Sequence, residues 1–540
     1  MAGQTRREML VAGAAAALGI SAREAQAQHV EHEADICVFG ATVAGIMAAV
    51  QARKMGRTAM VVEPSSHIGG MTTGGLGMTD IGNKAAIGGL ARTFYERVHR
   101  YYIETYGPES QQVKDCANGF RFEPSVAMRV LRSFIDDAQV AVHTGMRLRS
   151  VRKEGNRLVS FTTENGDTFR ARVFVDATYE GDLMARARVS YTFGRESNEQ
   201  YGETVNGIYY GPLNQFYRPV DPYRVPGDPR SGLLKTIDPY PFGEQGEGDR
   251  RIQAYNFRMC MTRVPSNRIP FPKPGNYDAD MYLLLARYIE SGVFDALNSA
   301  LPIPNGKTDT NNEGGFSTDF IGGNYRYPDG GYRTRHAIVE DHKTYQQGLM
   351  WFLCHDRRVP ERIRERVSEW GLAKDEFEAS EGWPPQIYVR EARRMVSAYV
   401  MTEHNCRGQR VAEDPVSLGA YGMDSHNCRR MVRDGVVINE GDMQVGGFPP
   451  YPVSYRSIVP KERECANLLV PVCLSATHAS YGSIRMEPVF MILGQSAGTA
   501  ACLALEAGQP VQQVDYTKLH ARLLSDGQVL HWPAPRREGE

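Results

Sequence analysis

Cysteine pairs at C-x-x-C spacing are missing from the 540 residues. The nine cysteines, Cys37, Cys116, Cys260, Cys354, Cys406, Cys428, Cys465, Cys473 and Cys502, are scattered and odd in number. That pattern excludes a zinc or iron–sulfur ligand set, argues against a disulfide framework and reads as buried free thiols. An excess of charge is missing too. Lys and Arg total 62 against 63 Asp and Glu, so the formal net charge is −1 and nothing in the bulk calls for a nucleic-acid or charged-membrane partner. Long apolar runs are scarce. Val11 to Ile20 is too short and too rich in alanine to span a bilayer. Val489 to Leu505 contains Gly494-x-x-x-Gly498, the face of many membrane helices, but Gln495, Ser496 and Thr499 inside it favour a buried helix of a soluble protein.

A chain of this length exceeds one small core, so two domains are expected. Its start reads as a targeting segment. Thr5-Arg6-Arg7-Glu8-Met9-Leu10, the weakly apolar run and Ala25-Gln26-Ala27 lay out the three regions of a secretory signal over residues 1–27. The arginine pair resembles a twin-arginine signal, with Met9 where that motif usually has Phe. Export to the periplasm by that route is the expectation, with an ordinary secretory signal as the alternative.

After it, Ala34 to Phe39 reads as a buried strand running into Gly40-Ala41-Thr42-Val43-Ala44-Gly45 and a helix from Ile46 to Met55. A second strand, Thr58 to Val62, stops at Glu63-Pro64. A glycine turn between strand and helix, with a carboxylate about 20 residues on, is the pattern that holds a dinucleotide. The helix N-terminus faces the pyrophosphate and the acid accepts the ribose hydroxyls. Thr42 stands where the motif has its middle glycine, and its hydroxyl is a candidate phosphate donor.

Three later stretches bear on which dinucleotide. Ser65 to Gly77, with Gly69, Gly70, Met71 and Thr72, is too rich in glycine and too apolar for a plain loop and suggests backbone wrapped on an extended ligand. Gln139 to Val175, including Leu148, reads as strands turning at Glu154-Gly155-Asn156 and Asn165-Gly166. It ends in Asp176-Ala177-Thr178-Tyr179-Glu180-Gly181-Asp182, and is similar to the corresponding stretch of glutathione-reductase-type flavoproteins. Last, a strand-like run from Asn467 to Cys473 precedes a helix opened by Pro488 and ended by Gly508. Its small residues from Gly494 allow tight packing, and in similar flavoproteins the N-terminal end of such a late helix points at the flavin, so Glu487, Gly494, Gln495 and Ser496 are expected there, with a helix that merely packs closely as the alternative.

With Tyr388-Val389-Arg390-Glu391-Ala392-Arg393-Arg394 and Ser475-Ala476-Thr477-His478 through Ile484-Arg485-Met486-Glu487-Pro488 added, these stretches resemble the FAD-dependent oxidoreductase family grouped with the flavoprotein component of heterodisulfide reductase. The resemblance implies an α/β fold, with a Rossmann-type FAD-binding domain of glutathione-reductase type and an inserted substrate domain. It implies FAD, redox chemistry on a small-molecule substrate and an electron acceptor that it does not name. Expected boundaries are 34–196 and 451–525 for the two parts of the FAD domain, 197–450 for the substrate domain and 526–540 for a tail.

Within the middle region, Lys307 to Asn312 and Asp319 to Asp329 read as loops. Helices are expected at Asp278 to Ser291, Arg335 to Phe352 and from Glu376. Residues Arg390 to Arg394 read as a helical charge cluster, or else a clamp for a substrate carboxylate. His478 is the first candidate for acid/base work, with Tyr481 and Arg485 near it. Arg485 has the alternative of an ion pair with Glu487 that ties loop to helix, and Asp424 to Asn427 and His404 are weaker candidates. Abundant Tyr, Asn and Arg in the middle would suit a sugar or polyol. Two other functions stay open: an NAD-dependent dehydrogenase using the same glycine turn, and a non-redox carbohydrate lyase or binding protein with a vestigial nucleotide site.

Overall fold

A computed structural model describes residues 29–533. The export segment 1–27 and the end of the tail lie outside the described residues. Strand β1 (Glu31–Phe39) leads through the glycine turn into helix α1 (Val43–Lys54), and β2 (Ala59–Val62) follows. Helices α2 (Gly89–Tyr106) and α3 (Pro124–Ala138) precede β3 (Ala141–His143). Then β4 (Leu148–Glu154), β5 (Arg157–Thr163) and β6 (Thr168–Asp176) form an antiparallel meander. Strands β3, β2, β1 and β6 lie parallel in that order, and β7 (Leu468–Leu469), almost 300 residues after β6 in sequence, pairs parallel to it. Phe39 of β1 stands beside Val62 of β2 and Asp176 of β6, so the three carboxyl ends open at one edge, where ligands of parallel sheets bind.

Helix α1 has no polar stripe: Val43 through Ala52 are all buried. The last long helix packs against it and also reaches β6. That helix, α6, comes after α4 (Tyr332–His355) and the short α5 (His478–Ile484), and runs from Glu487 to Ala507. The α1–α6 contact is the most extensive between any two elements. A Cβ on Gly494 would stand 2.1 Å from the Ala44 carbonyl oxygen, and one on Gly498 would stand 2.4 Å from that of Ala48. Small residues one turn apart on both helices let the backbones touch. Among the described residues α6 is the one helix long and apolar enough to cross a membrane, but 94% of its apolar window is buried inside the protein. Its glycine face meets α1.

The middle of the chain builds a five-stranded antiparallel sheet in the order Ala300–Ile303, Lys307–Thr310, Met259–Thr262, Gly371–Ala373, Arg268–Ile269. Residues 307–310, expected as loop, are therefore a strand, and all four are buried. Their polarity is matched from afar. Lys307 Nζ lies 2.7 Å from both Glu123 and Glu376, and Asp309 takes a bidentate pair from Arg258 at 2.6 and 2.7 Å. Asp309 also accepts from the Gly77 and Met78 N–H groups, which fastens this sheet to the glycine loop. Helices stand at Leu283–Glu290 and Tyr332–His355, but after Glu376 there is only a single turn, Glu378–Ser380. The run Asn467 to Cys473 contributes just Leu468–Leu469 to the sheet. All nine cysteines are free thiols, eight of them buried and Cys354 half-buried.

The α1–α6 contact generates a stability prediction. Gly498→Ala forces a methyl group against backbone, so it should lower stability by about 1–3 kcal/mol, the usual cost of overpacking. Gly275→Ala, where an added Cβ meets nothing within 4 Å, should leave it unchanged. Thermal unfolding of the two variants against the parent checks this, and equal midpoints for all three would contradict the contact.

Candidate active site

The turn after β1 is shaped by what it cannot hold. Gly40 has φ +101°, and a Cβ there would meet the Thr178 nitrogen at 2.7 Å; one on Gly45 would stand 2.0 Å from the Gly40 carbonyl oxygen. Both glycines are required, the first so that β1 and the 177–182 loop can approach, the second so that α1 can press on the strand end. Thr42 caps α1 and accepts from Gly45 N–H. Its own hydroxyl proton goes to the Ala177 carbonyl at 2.7 Å. This corrects the expectation of a phosphate donor, because the proton is committed to bracing the two loops. At the end of β2, Glu63 accepts from the Ala41 N–H at 2.7 Å and from the Ser65 N–H at 2.8 Å, which pins the turn and the next loop to one carboxylate.

The glycine loop is anchored by α6. Gly69 and Gly70 have positive φ, and a Cβ on Gly70 would stand 2.4 Å from the Tyr179 hydroxyl oxygen. That hydroxyl accepts from Met71 N–H at 3.0 Å and donates to Glu487 at 2.7 Å, while Thr72 donates to the other Glu487 oxygen at 2.8 Å. Burial raises the Glu487 carboxyl to about 7, partly offset by the hydrogen bonds from Tyr179 and Thr72. One side chain in the first turn of α6 thus holds together the glycine loop and the 177–182 loop.

A cleft of about 230 Å³ follows these loops. It runs from Thr42, Glu63 and Pro64, past Gly70 and Thr178, to Pro385–Ile387, with Asp182 also on its wall. Its other side comes from the middle of the chain, including Tyr327 and α4 residues Tyr332 and Arg335. Arg335 grips Asp182 at 2.6 and 3.0 Å, and Tyr327 donates to Glu180 at 2.9 Å. Nothing in the sequence marks these partners, since more than 140 residues separate each pair. His67 also lines the cleft; burial lowers it to about 4, so it is neutral at ordinary pH.

Other expected cofactor residues are placed as follows. Val43, Ala44 and Gly45 form the first turn of α1, and Ala177 packs beside it. Gly181, in the left-handed region, caps the short helix begun by Asp182. Leu148 is buried at the start of β4 and its N–H donates to Tyr332. Gly494, Gln495 and Ser496 are corrected. They sit two turns inside α6, roughly 10 Å from its start at 1.5 Å per residue. Gly494 contacts Ala44, Gln495 accepts from Leu90 N–H at 2.8 Å, and Ser496 donates to the Val416 carbonyl at 2.6 Å. All three are helix-packing residues.

The candidate catalytic residues lie inside the protein. His478, Tyr481 and Arg485 are only 2%, 2% and 3% exposed, and none lines the cleft. His478 Nδ1 lies 2.7 Å from Glu391. Burial works against ionisation of Glu391, but the charges of His478 and Arg394 hold its carboxyl down at about 2. Residues Arg390 to Arg394 are not a helix but irregular chain ending in the short strand Arg394–Met395, and Arg390, Glu391, Arg393 and Arg394 are buried and paired. Arg485 binds Asp424, not Glu487. Of the weaker candidates, His426 pairs with Asp319 at 2.8 Å, and His404 bonds Gln409 at 2.7 Å.

What stands next to the Ile387 end is a different set. Arg485 donates to the Tyr388 hydroxyl at 3.0 Å, and the guanidinium carbons of Arg258, Arg390 and Arg485 lie 5.8, 4.6 and 5.8 Å from the Tyr388 ring. Arg258 Nη1, Arg390 Nε and Arg485 Nε are buried without a hydrogen-bond partner, so donors are left over. The Arg258 carbonyl abuts Gly75 of the glycine loop. Half-buried Asp80 shares this neighbourhood. Burial raises its carboxyl, Asp424 and Asp309 add to the rise, and Arg258 and Arg485 oppose it.

A glycine turn, a carboxylate closing β2, a glycine loop and a cleft joining them fit the ADP half of FAD. A family model described as FAD dependent oxidoreductase matches residues 35–523. No curated protein matches the chain. Among solved structures, 3-ketosteroid-delta4-(5alpha)-dehydrogenase from Rhodococcus jostii is similar at 15% identity and TM-score 0.20, over 29% of this chain and 49% of that one. L-amino acid deaminase from Proteus vulgaris is similar at 15% identity and TM-score 0.24, over 31% and 53%. Thioredoxin reductase of T. acidophilum is similar at 19% identity and TM-score 0.17, over 27% and 35%. The matches span about half or less of those chains.

The buried Glu487 carboxyl sets a pH dependence. Its folded value of about 7 lies above the ordinary 4.5, so its stabilising contribution is complete below pH 4.5 and is lost as pH rises through 7. Flavin-free protein should lose about 3 kcal/mol from this group over that window. Glu487→Gln should flatten that part of the pH–stability curve, and an unchanged slope in denaturant titrations would contradict the assignment.

Proposed function

The chain belongs to the FAD-dependent oxidoreductase family, and from that premise we propose that it oxidises a small polar substrate, a sugar or polyol in the first instance, by hydride transfer to flavin N5. FAD, when bound, supplies the hydride acceptor. The Gly40–Gly45 turn and the start of α1 would receive the pyrophosphate. Glu63 would accept the ribose hydroxyls with the lone pairs that its two backbone contacts leave free. Glu487 holds Met71 and Thr72 in place through Tyr179 and its own carboxylate, which would keep the glycine loop in one shape for the cofactor.

The observation that carries the substrate reading is the group around Tyr388. Three buried arginines with unspent donors, beside a cleft end and the glycine loop, form a place where substrate oxygens replace missing hydrogen-bond partners. Asp80, whose carboxyl is raised by burial, takes the proton that leaves the substrate hydroxyl. His478 acts at a distance, as the partner that keeps Glu391 ionised and so holds Arg394. Export through the signal read in residues 1–27, and delivery of the electrons to a separate acceptor, belong to the same proposal.

A visible spectrum of the purified protein should show bound flavin, and Gly40→Val should abolish it. Anaerobic mixing with a panel of sugars and polyols should bleach the flavin with at least one member. Asp80→Asn should keep the flavin and slow bleaching by about 10²–10⁴-fold, the usual worth of a positioned base. Bleaching at the parent rate would remove Asp80 from the reaction, and a flavin that no panel member reduces would overturn the substrate class.

A further inference from the structure

A cavity of about 890 Å³ lies apart from the cofactor cleft, with none of the cleft's lining residues. Segment 325–330 borders both: Tyr325, Arg326 and Asp329 line the cavity, whereas Tyr327 lines the cleft and bonds Glu180 there. The volume is that of a small-molecule site.

Its charge is unbalanced. Four arginines, Arg250, Arg251, Arg326 and Arg430, line it with two aspartates, Asp238 and Asp329. Both aspartates are already bound by arginines from outside the lining, Asp238 by Arg429 at 2.7 Å and Asp329 by Arg393 at 3.0 Å. Arg430 is 1% exposed and makes its hydrogen bonds to neutral acceptors, Asn439, Thr236 and the Gly315 carbonyl, so its charge has no carboxylate hydrogen-bonded to it. Arg251 pairs with Asp249 at 3.2 Å and with Asp238 at 3.5 Å, which leaves only its buried Nε without a partner. Arg326 is exposed and makes no ion pair among the described residues. Arg250 is 71% exposed, lies over the Phe193 ring at 3.8 Å and reaches Asp329 only at 3.8 Å. Phe193, Ile237, Tyr240, Phe320 and Tyr325 give the wall its apolar and aromatic surface, with Thr236 and Thr334 among them. A positive potential inside an aromatic wall selects a ligand that is flat and apolar in body and acidic at one end.

We propose that this cavity is a second small-molecule site, separate from the cofactor cleft, and that it takes an aromatic or similarly flat apolar carboxylate. The body stacks among Phe193, Tyr240 and Tyr325. The carboxylate draws Arg250 and Arg326 into hydrogen bonds that neither makes strongly without it. This site does not depend on the substrate proposed for the flavin.

Isothermal titration calorimetry on the FAD-loaded protein, whose cleft is filled, tests it with 2-naphthoate, its neutral counterpart 2-naphthalenemethanol, and acetate. The expected result is one 2-naphthoate bound per chain, with the alcohol and acetate each at least tenfold weaker. Arg250→Ala/Arg326→Ala, both exposed positions, should weaken 2-naphthoate at least tenfold and leave the flavin spectrum unchanged. No binding of 2-naphthoate, equal affinity for the alcohol or for acetate, or full affinity in the double variant would each overturn the proposal.

Discussion

The contact of α6 with α1 positions much of the rest. Gly494 and Gly498 bring one backbone onto the carbonyls of Ala44 and Ala48, and no larger residue leaves room for it. Because α1 begins at the glycine turn, a helix laid against it in this register carries its own first turn to the same edge of the sheet. Glu487 is in that turn. Its bonds to Tyr179 and Thr72 then define where the glycine loop and the 177–182 loop sit. A helix–helix approach set by the absence of side chains becomes, two turns away, the geometry of a cofactor site.

The second organising feature is buried charge. Arg258 with Asp309, Lys307 with Glu123 and Glu376, Arg394 with Glu391 and Glu196, and Arg195 with Glu440 are all ion pairs with almost no exposure. Such pairs stabilise little in net terms, because desolvation consumes much of the attraction, but removing one partner leaves a stranded charge. Their effect here is to specify which segments meet. The pair at Asp309 joins the middle sheet to Gly77 and Met78, and the pair of Arg335 with Asp182 joins α4 to the loop after β6. The middle of the chain is thereby joined to the cofactor half at two places. Three of the donors the network leaves unpartnered stand around Tyr388, next in sequence to Ile387 at the end of the cleft.

By itself the sequence determined the parts of the fold that local chemistry controls. The strand–turn–helix at Gly40–Gly45, the hairpin turns at Gly155 and Gly166, the closing Glu63 and the cap at Gly508 follow from positive φ, apolar runs and short-range spacing, and they stand where those rules put them. Tertiary structure alone decided what depends on partners distant in the chain. Lys307 to Thr310 is polar and looked like loop until Glu123, Glu376 and Arg258 supplied counter-charges. Arg390 to Arg394 had helical spacing but no helix: Arg390 is held by Asp319, Arg393 by Asp329 and Arg394 by Glu196, each from a distant segment. His478 had the chemistry of a base, and its pairing with Glu391 inside the molecule withdrew it from the cleft. The physical reason is one of range: backbone sterics act over a few residues and can be read in order, whereas ion pairs and cleft walls are made across hundreds of residues and exist only once the chain has folded.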